Sequence, residues 1–220
     1  MSSKTEEYRG ARITVRFEPV RCIHSRNCVL GDPRVFVPNV SGPWIHPEAV
    51  SAERVAELAH ACPSGAITYE RTDGATSEQA PIVNVVRVLE NGPLAFRAEL
   101  CFEGGATALR ATLCRCGAST HKPFCDGSHS TAAFAATGEP SPQESQPLNE
   151  RNGALSVTPV LDGPLHVKGN LELVSGTGHT IDRVTEVWLC RCGGSSRKPY
   201  CDGTHKRNGF KAEGRAPVRK

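Results

Sequence analysis

The sequence is poor in aromatic residues and has no long apolar segment. Phe, Trp and Tyr make up 5% of the 220 residues, and no apolar run reaches 18 residues. A helix that crosses a membrane needs about 20 predominantly apolar residues, so we expect no membrane span. The first eight residues include two acids and lack the apolar segment of a signal peptide. We therefore expect a cytoplasmic protein.

Motifs for common catalytic chemistry are also missing. The sequence contains no G-x-S-x-G element, no P-loop, no dinucleotide-binding fingerprint and no flavin motif. We therefore expect neither a substrate pocket nor enzymatic turnover.

The net charge is small, +3, but it is unevenly distributed. Residues 1–75 are neutral, residues 76–150 carry −3 (five Lys or Arg against eight Asp or Glu), and residues 151–220 carry +6 (twelve against six). Such a basic segment can attract nucleic acid or an acidic protein. The cations form no helical or aromatic-interleaved stripe, so a solvated basic surface is favoured and nucleic-acid binding is not expected.

Cysteine, by contrast, is abundant, with ten residues. In a reducing compartment, clustered cysteines indicate metal ligands before disulfides. Cys101 stands alone and is predicted to be a small buried apolar side chain. The other nine form three sets of three, namely Cys22, Cys28 and Cys62; Cys114, Cys116 and Cys125; and Cys190, Cys192 and Cys201.

An internal repeat occupies most of the chain after the first set. The segment Asn91-Gly-Pro-Leu94 returns as Asp162-Gly-Pro-Leu165, and each is followed by the apolar alternation of a half-buried strand. Each repeat then reaches a cysteine-rich loop. The loops at 114–129 and 190–205 align without a gap and are identical at 11 of 16 positions. The chain therefore contains two copies of one small β-rich module.

Polar stretches at 71–81 and 138–152 have the composition of linkers. Before the first of them, the sequence predicts a strand over 12–17, a helix over 52–60 with Ser51 as its N-cap, and a strand over 66–69. The expected domains are an N-terminal domain at 1–75, a first repeat domain at 76–140, a linker at 141–151 and a second repeat domain at 152–220.

The cysteine spacing in each repeat is typical of a metal site. A C-x-C pair on an extended segment points both thiols to one side, which suits two ligands of one iron. The later Cys-Asp-Gly-Ser/Thr-His places a thiol and an imidazole four residues apart across a glycine turn, which suits a second iron. The same donors could also form a Cys₃His zinc site, and spacing alone does not decide between the two.

Both loops resemble the CDGSH iron–sulfur domain, the family of mitoNEET. They match its C-x-C-x2-S-x3-P-x-C-D-G-[SAT]-H pattern at every defined position. The resemblance implies that Asp126 and Asp202 brace the turn without binding iron. It implies one [2Fe–2S] cluster bound by Cys114, Cys116, Cys125 and His129, and another bound by Cys190, Cys192, Cys201 and His205.

Family members with a single motif resemble intertwined homodimers, so a chain with two motifs is expected to form that pair from itself.

The N-terminal set resembles a divergent mono-cluster bacterial ferredoxin, with Cys22, Cys28 and a distant Cys62-Pro63, but Ser25 replaces one cysteine. Three ligands suffice for a [3Fe–4S] cluster, and His24 or Ser25 could complete a [4Fe–4S] cluster, His24 being the better donor. A zinc site or a structural remnant is the alternative.

The expected fold class is therefore α+β. A small ferredoxin-like α/β domain precedes two β-rich CDGSH modules that pack as an intramolecular pseudo-dimer, which makes a monomer the expected state. The expected function is electron transfer with a redox partner protein. The alternatives are a cluster carrier that serves apo iron–sulfur proteins, a redox or pH sensor, and a zinc-stabilised interaction module.

Overall fold

The computed structural model of the chain describes residues 4–216. They divide into two compact units, of which the first ends at Gln79 and the second begins at Ala80. Strands outweigh helices, and the helices are short. Among the described residues, no helix has the length and apolar character needed to cross a membrane.

The first unit is a three-stranded antiparallel sheet with two helices. Strands β1 (Glu6–Arg9), β2 (Ile13–Phe17) and β3 (Ile67–Arg71) are neighbours in that order, and helices α1 (Asn27–Gly31) and α2 (Ala52–His60) lie between β2 and β3 along the chain. The predicted helix at 52–60 is confirmed. The predicted strands at 12–17 and 66–69 are also confirmed, but each begins one residue later than predicted.

Local sequence explains why α2 forms where it does. The hydroxyl of Ser51 accepts a hydrogen bond from the backbone N–H of Arg54, which satisfies one donor of the first helical turn. The helix then buries its apolar side against the sheet. Its buried residues share a core with those of β2 and β3, including Ile13, Val15, Val55, Leu58, Ala59, Ile67 and Tyr69.

The second unit contains the two repeats, and each repeat contributes three strands. The strands of the first repeat are β4 (Val85–Val88), β5 (Leu94–Phe102) and β6 (Thr107–Leu113), followed by the single-turn helix α3 (Ser128–Thr131). Those of the second repeat are β7 (Ala154–Pro159), β8 (Leu165–Val174) and β9 (Thr180–Leu189). The alternation after each Gly-Pro-Leu segment is confirmed as β5 and β8.

The strands of the two repeats pair with each other. Strand β4 lies antiparallel to β5 of its own repeat and parallel to β8 of the other, while β7 lies antiparallel to β8 and parallel to β5. The registers correspond: Val86 is opposite Phe96 and Leu173, and Val157 is opposite Val167 and Phe102. The pairings β4–β5–β7–β8–β4 form a closed circuit.

Irregularities in β5 and β8 accompany the pairing of strands between the two repeats. The register of β5 shifts between Arg97 and Leu100, and that of β8 shifts between Lys168 and Leu171. Such bulges bend a strand and increase its twist. One edge of each long strand pairs with its own repeat along the strand, as β5 does with β6 and β8 with β9. On the opposite edge, the first half pairs with a strand of its own repeat and the second half with a strand of the other repeat.

Both repeats contribute to one apolar core. Leu94, Phe96 and Leu100 from β5 and Leu165, Val167 and Leu171 from β8 are at most 1% exposed and belong to a single cluster of buried residues. The core is mainly aliphatic, and its buried aromatic residues are Phe96, Phe102 and Phe124.

The predicted linker region is hydrogen-bonded to the second repeat. The backbone N–H of Gly176 donates to the carbonyl of Gly138, and the N–H of Gln143 donates to the carbonyl of Ile181. Further along, the N–H of Arg183 donates to the hydroxyl of Ser145. This segment therefore runs along the second repeat as part of the folded unit.

Candidate metal centres

The first cysteine-rich loop brings its donors together as two pairs. It follows directly after β6, whose end places Cys114 and Cys116 with their Sγ atoms 3.7 Å apart. The second pair joins Cys125 Sγ and His129 Nδ1 at 3.3 Å. Cys114 and Cys125 are buried, whereas the imidazole of His129 is half-buried.

The second loop has the same arrangement. The Sγ atoms of Cys190 and Cys192 are 3.8 Å apart, and Cys201 Sγ lies 3.4 Å from His205 Nδ1. Agreement between the loops follows from their gapless alignment, and each loop turns on a glycine of positive φ, Gly127 at 88° and Gly203 at 84°. A left-handed conformation here favours glycine, which has no Cβ.

Backbone N–H groups point at the sulfurs. The N–H of Ala118 lies 3.4 Å from Cys116 Sγ, and that of Gly127 lies 3.4 Å from Cys125 Sγ. Gly194 and Gly203 donate to Cys192 and Cys201 at the same distance. Donors of this kind stabilise a thiolate relative to a thiol, so each loop is prepared for anionic sulfur.

An aspartate holds each glycine turn closed. Asp126 accepts hydrogen bonds from the backbone N–H and hydroxyl of Thr120 and from those of Ser128, at 2.6–3.0 Å. Although burial opposes it, these donors lower the pKa of Asp126 below its usual range. Asp202 is held in the same way by Ser196 and Thr204. The aspartates therefore hold the turns by hydrogen bonds, which is the bracing role that the family resemblance implies.

Between the paired cysteines lies a buried arginine that the sequence analysis did not single out. Arg115 is 1% exposed, and its guanidinium lies 5.3 Å from the ring centroid of Phe134. Burial lowers the pKa of Arg115 to about 10, although the charges of Glu90 and Cys190 oppose the shift. Its N–H groups donate to four backbone carbonyls, those of Leu89, Gly92, Ala136 and Thr137, at 2.6–3.1 Å.

Arg191 occupies the equivalent position in the second loop and is also 1% exposed. It donates to the carbonyls of Val160, Gly163 and Glu213 at 2.5–3.0 Å and lies over the ring of Phe210. The signal was present in the sequence, since the middle residue of both C-x-C pairs is arginine. Arginine suits this position because the several N–H groups of one guanidinium can donate to carbonyls in different directions at once.

The thiols of the first loop differ in acidity. A hydrogen bond between the paired thiols lowers the pKa of Cys116 to about 6, whereas that hydrogen bond and burial raise the pKa of Cys114. Burial raises the pKa of Cys125 to about 12 and lowers that of His129. A metal must therefore displace protons from buried thiols, while the imidazole is held in the neutral form that binds metals.

The two loops meet at their C-x-C segments. Cys116 and Cys192 form an isolated antiparallel β-bridge. The glycines that follow them have positive φ, and a Cβ on Gly117 would lie 2.6 Å from the carbonyl oxygen of Cys192. A Cβ on Gly193 would overlap the carbonyl oxygen of Cys116. Only glycine permits this approach of the two candidate centres.

The three N-terminal cysteines line one cavity. Its volume is about 250 Å³, and Cys22, Cys28 and Cys62 share its wall with His24 and Ser25. His24 Nδ1 lies 4.0 Å from Cys22 Sγ, on a backbone of positive φ. Burial raises the pKa values of Cys22 and Cys28. The structure thus brings all three thiols and the predicted histidine to one place.

The remaining candidates lie apart from these centres. His121 contacts Thr120 and Asp126 at an exposed position, and His166 Nε2 lies 2.7 Å from Glu186 Oε1. Cys101 is the last residue but one of β5 and is partly exposed, so the expectation of a buried side chain is wrong. Its neighbours Leu100 and Phe102 are buried, and successive side chains of a strand point to opposite faces, so Cys101 lies on the less buried face.

The donor spacing fits iron–sulfur clusters. Metal–sulfur bonds of about 2.3 Å at a tetrahedral angle separate two ligand sulfurs by about 3.8 Å, which is the separation in both C-x-C pairs. Each loop thus offers two pairs, each spaced for one tetrahedral metal. Within residues 4–216, no three His, Cys, Asp or Glu side chains are grouped as ligands of a single metal ion.

Comparison with known proteins gives two family matches. The family described as "Iron-binding zinc finger CDGSH type" matches residues 65–130 and 162–206, and the family described as "Divergent 4Fe-4S mono-cluster" matches residues 8–72. These ranges contain all three candidate centres.

Relatives in Escherichia coli cover a shorter part of the chain. The "Uncharacterized protein YjdI" of strain K12 is 41% identical over 63 residues, which are 28% of this chain and 80% of that protein. The protein of the same name from O157:H7 gives the same values. No solved structure matches the chain significantly.

Proposed function

The chain belongs to the CDGSH-type iron-binding zinc finger family and is an iron–sulfur protein, and we propose that it transfers electrons through two [2Fe–2S] clusters and one cubane-type cluster. The observation that carries the proposal is the pairing of donors: each loop offers a thiol pair and a thiol–imidazole pair, spaced for two metals. The four ligands of the first cluster are Cys114, Cys116, Cys125 and His129, and those of the second are Cys190, Cys192, Cys201 and His205.

A [2Fe–2S] cluster supplies reversible one-electron chemistry. Three thiolates and a neutral imidazole leave the oxidised centre with a charge of about −1, compared with about −2 for four thiolates, which favours reduction. We propose a potential between that of plant-type ferredoxins, about −400 mV, and the range of two-histidine sites. The first cysteine of each C-x-C pair is buried, whereas the second cysteine and the histidine are half-buried and form the exposed side of each centre.

The corresponding registers of β4–β8 and β7–β5 support an intramolecular pseudo-dimer. We propose that the two repeats form this pair within one chain, which remains a monomer, and that the chain has no catalytic site of its own. In the N-terminal unit, Cys22, Cys28 and Cys62 would hold a [3Fe–4S] cluster, or a [4Fe–4S] cluster if His24 is the fourth ligand.

A second candidate function is donation of clusters to apo-proteins in the cytoplasm. The half-buried positions of His129 and His205 favour it, because a ligand at the surface is open to protonation and exchange. Two experiments separate the functions. Incubation with an apo-ferredoxin reveals cluster transfer, and mixing the oxidised protein with a reduced ferredoxin that already holds its cluster reveals electron transfer.

Elemental analysis of anaerobically purified protein tests the proposal as a whole. We expect about four iron and four sulfide per chain from the two loops, with three or four more iron from the N-terminal unit. A colourless protein that contains zinc and no sulfide would overturn it in favour of a zinc-stabilised module.

A further inference from the structure

The surfaces around the two CDGSH loops differ in charge, although the loops themselves are nearly identical. The aligned segments 117–135 and 193–211 each contain one aspartate, but the first contains one cation, Lys122, and the second contains five. The net charges are therefore zero and +4. The additional cations of the second segment are Arg197, Lys206, Arg207 and Lys211, where the first has His121, Ser130, Thr131 and Ala135.

We call Arg197, Lys206, Arg207 and Lys211 the basic rim, and all four are exposed. Lys211 forms an ion pair with Asp162 at 2.8 Å. In the described part of the chain, the other three have no ion-pair partner. A solvated cluster of unpaired cations produces a local positive potential that a neutralised surface lacks.

The basic rim belongs to the second cysteine-rich loop and to the residues that follow it. Lys206 and Arg207 directly follow His205, and the first of them lies on the short 3₁₀ turn Thr204–Lys206 that positions this histidine. Two exposed cations therefore lie next in the chain to the half-buried imidazole of His205.

We propose that the basic rim is a docking surface for an acidic protein, which exchanges electrons with the chain through the second centre in preference to the first. This inference rests on the proposed electron-transfer function. Complementary charge mainly increases the rate at which two proteins meet and fixes their orientation. One polarised end gives the two otherwise similar centres different roles: the second contacts the partner, and the first exchanges electrons through the second.

Charged one-electron oxidants test the proposal without knowledge of the partner. The dithionite-reduced protein is mixed with hexacyanoferrate(III), an anion, or hexaamminecobalt(III), a cation, and each complex takes one electron. The rim variant Arg197→His/Lys206→Ser/Arg207→Thr carries the residues of the first repeat. The control variant Arg87→Ser/Arg97→Ser/Lys168→Ser replaces three exposed cations on the strands. At pH 8 it removes the same net charge as the rim variant.

We expect the rim variant to lose about tenfold in the ratio of the anion rate to the cation rate at low ionic strength. The control should lose less than twofold, and added salt should remove the difference. Equal losses in both variants would overturn the proposal while leaving the electron-transfer function intact.

Binding of poly-L-glutamate, followed by calorimetry, provides a readout that does not need the clusters. The wild type should bind this acidic polypeptide, and the rim variant should bind it at least tenfold more weakly than the control. A protein that lacks iron but shows this pattern would sink the proposed function and retain the docking surface. Binding of a DNA duplex below micromolar Kd in 150 mM salt would overturn the proposal by reassigning the rim to nucleic acid.

Discussion

At the scale of single residues, the candidate centres depend on a few side chains with distinct tasks. The cysteines and the histidine of each loop supply the donors, the aspartate closes the turn, and the arginine fixes the C-x-C segment to neighbouring carbonyls. The meeting of these side chains was predictable from the sequence because their spacing is local. The hydrogen bonds of Arg115 were not predictable, because the carbonyls that it binds lie more than 20 residues away in the sequence.

Exchange of the histidine for cysteine tests its role as a ligand. His129→Cys should lower the reduction potential of the first centre, because a fourth thiolate adds negative charge. It should also slow loss of the cluster in acid, because the centre no longer has an imidazole ligand that releases iron when its nitrogen is protonated. Redox titration and absorbance decay at pH 5 measure the two effects. His205→Cys is the matched change and should act on the second centre; unchanged potential and lability in both variants would refute histidine ligation.

The buried arginine gives a second prediction at this scale. Arg115→Gln should reduce the free energy of unfolding by at least about 3 kcal/mol, because several charge-assisted hydrogen bonds are lost inside the protein. It should also lower the potential of the nearby centre, since a cation that stabilises the reduced form is removed. Arg115→Lys retains the charge and should restore the potential more than the stability.

Urea unfolding and redox titration measure these two effects, with the exposed Arg97→Gln as the control. If Arg115→Gln and Arg115→Lys gave the same potential, the arginine would act through bracing alone.

At the scale of the elements, local patterns were predictable and long-range pairings were not. The alternation in β2, β5 and β8 and the capped helix α2 are recorded in consecutive residues. Strands β4 and β7 were not predicted, since each is short and one of its two partners belongs to the other repeat. Val86, for example, is opposite Leu173, and no local periodicity encodes that contact.

The contact between the C-x-C segments can be tested with one methyl group. Gly117→Ala would place a Cβ against the carbonyl oxygen of Cys192, whereas Gly105→Ala, also at positive φ, meets nothing within 4 Å. Left-handed alanine costs about 1–2 kcal/mol at either site. Gly117→Ala should therefore lower the free energy of unfolding more than Gly105→Ala does, and it should also change the spectrum of the second centre.

Thermal unfolding and circular dichroism in the visible range compare the two variants. Equal destabilisation, with an unchanged spectrum, would show that the loops do not meet at this glycine.

At the scale of the whole molecule, the strand circuit makes each repeat depend on the other. A fragment of residues 80–220 should be monomeric and hold two clusters. A fragment of residues 80–138 loses the β8 partner of β4 and the β7 partner of β5, so its open edges should make it dimerise or unfold. Size-exclusion chromatography with light scattering measures the state, and a stable monomeric short fragment would contradict the pseudo-dimer.

The central claim is that each loop binds one cluster through three cysteines and one histidine. Pulsed EPR of dithionite-reduced protein labelled with ¹⁵N-histidine measures it most directly, because a ligand nitrogen is strongly coupled to the unpaired electron. We predict two such couplings in the wild type, one lost in His129→Cys and the other in His205→Cys. Reduced [2Fe–2S] signals without strong ¹⁵N coupling, or no paramagnetic signal at all, would contradict the account.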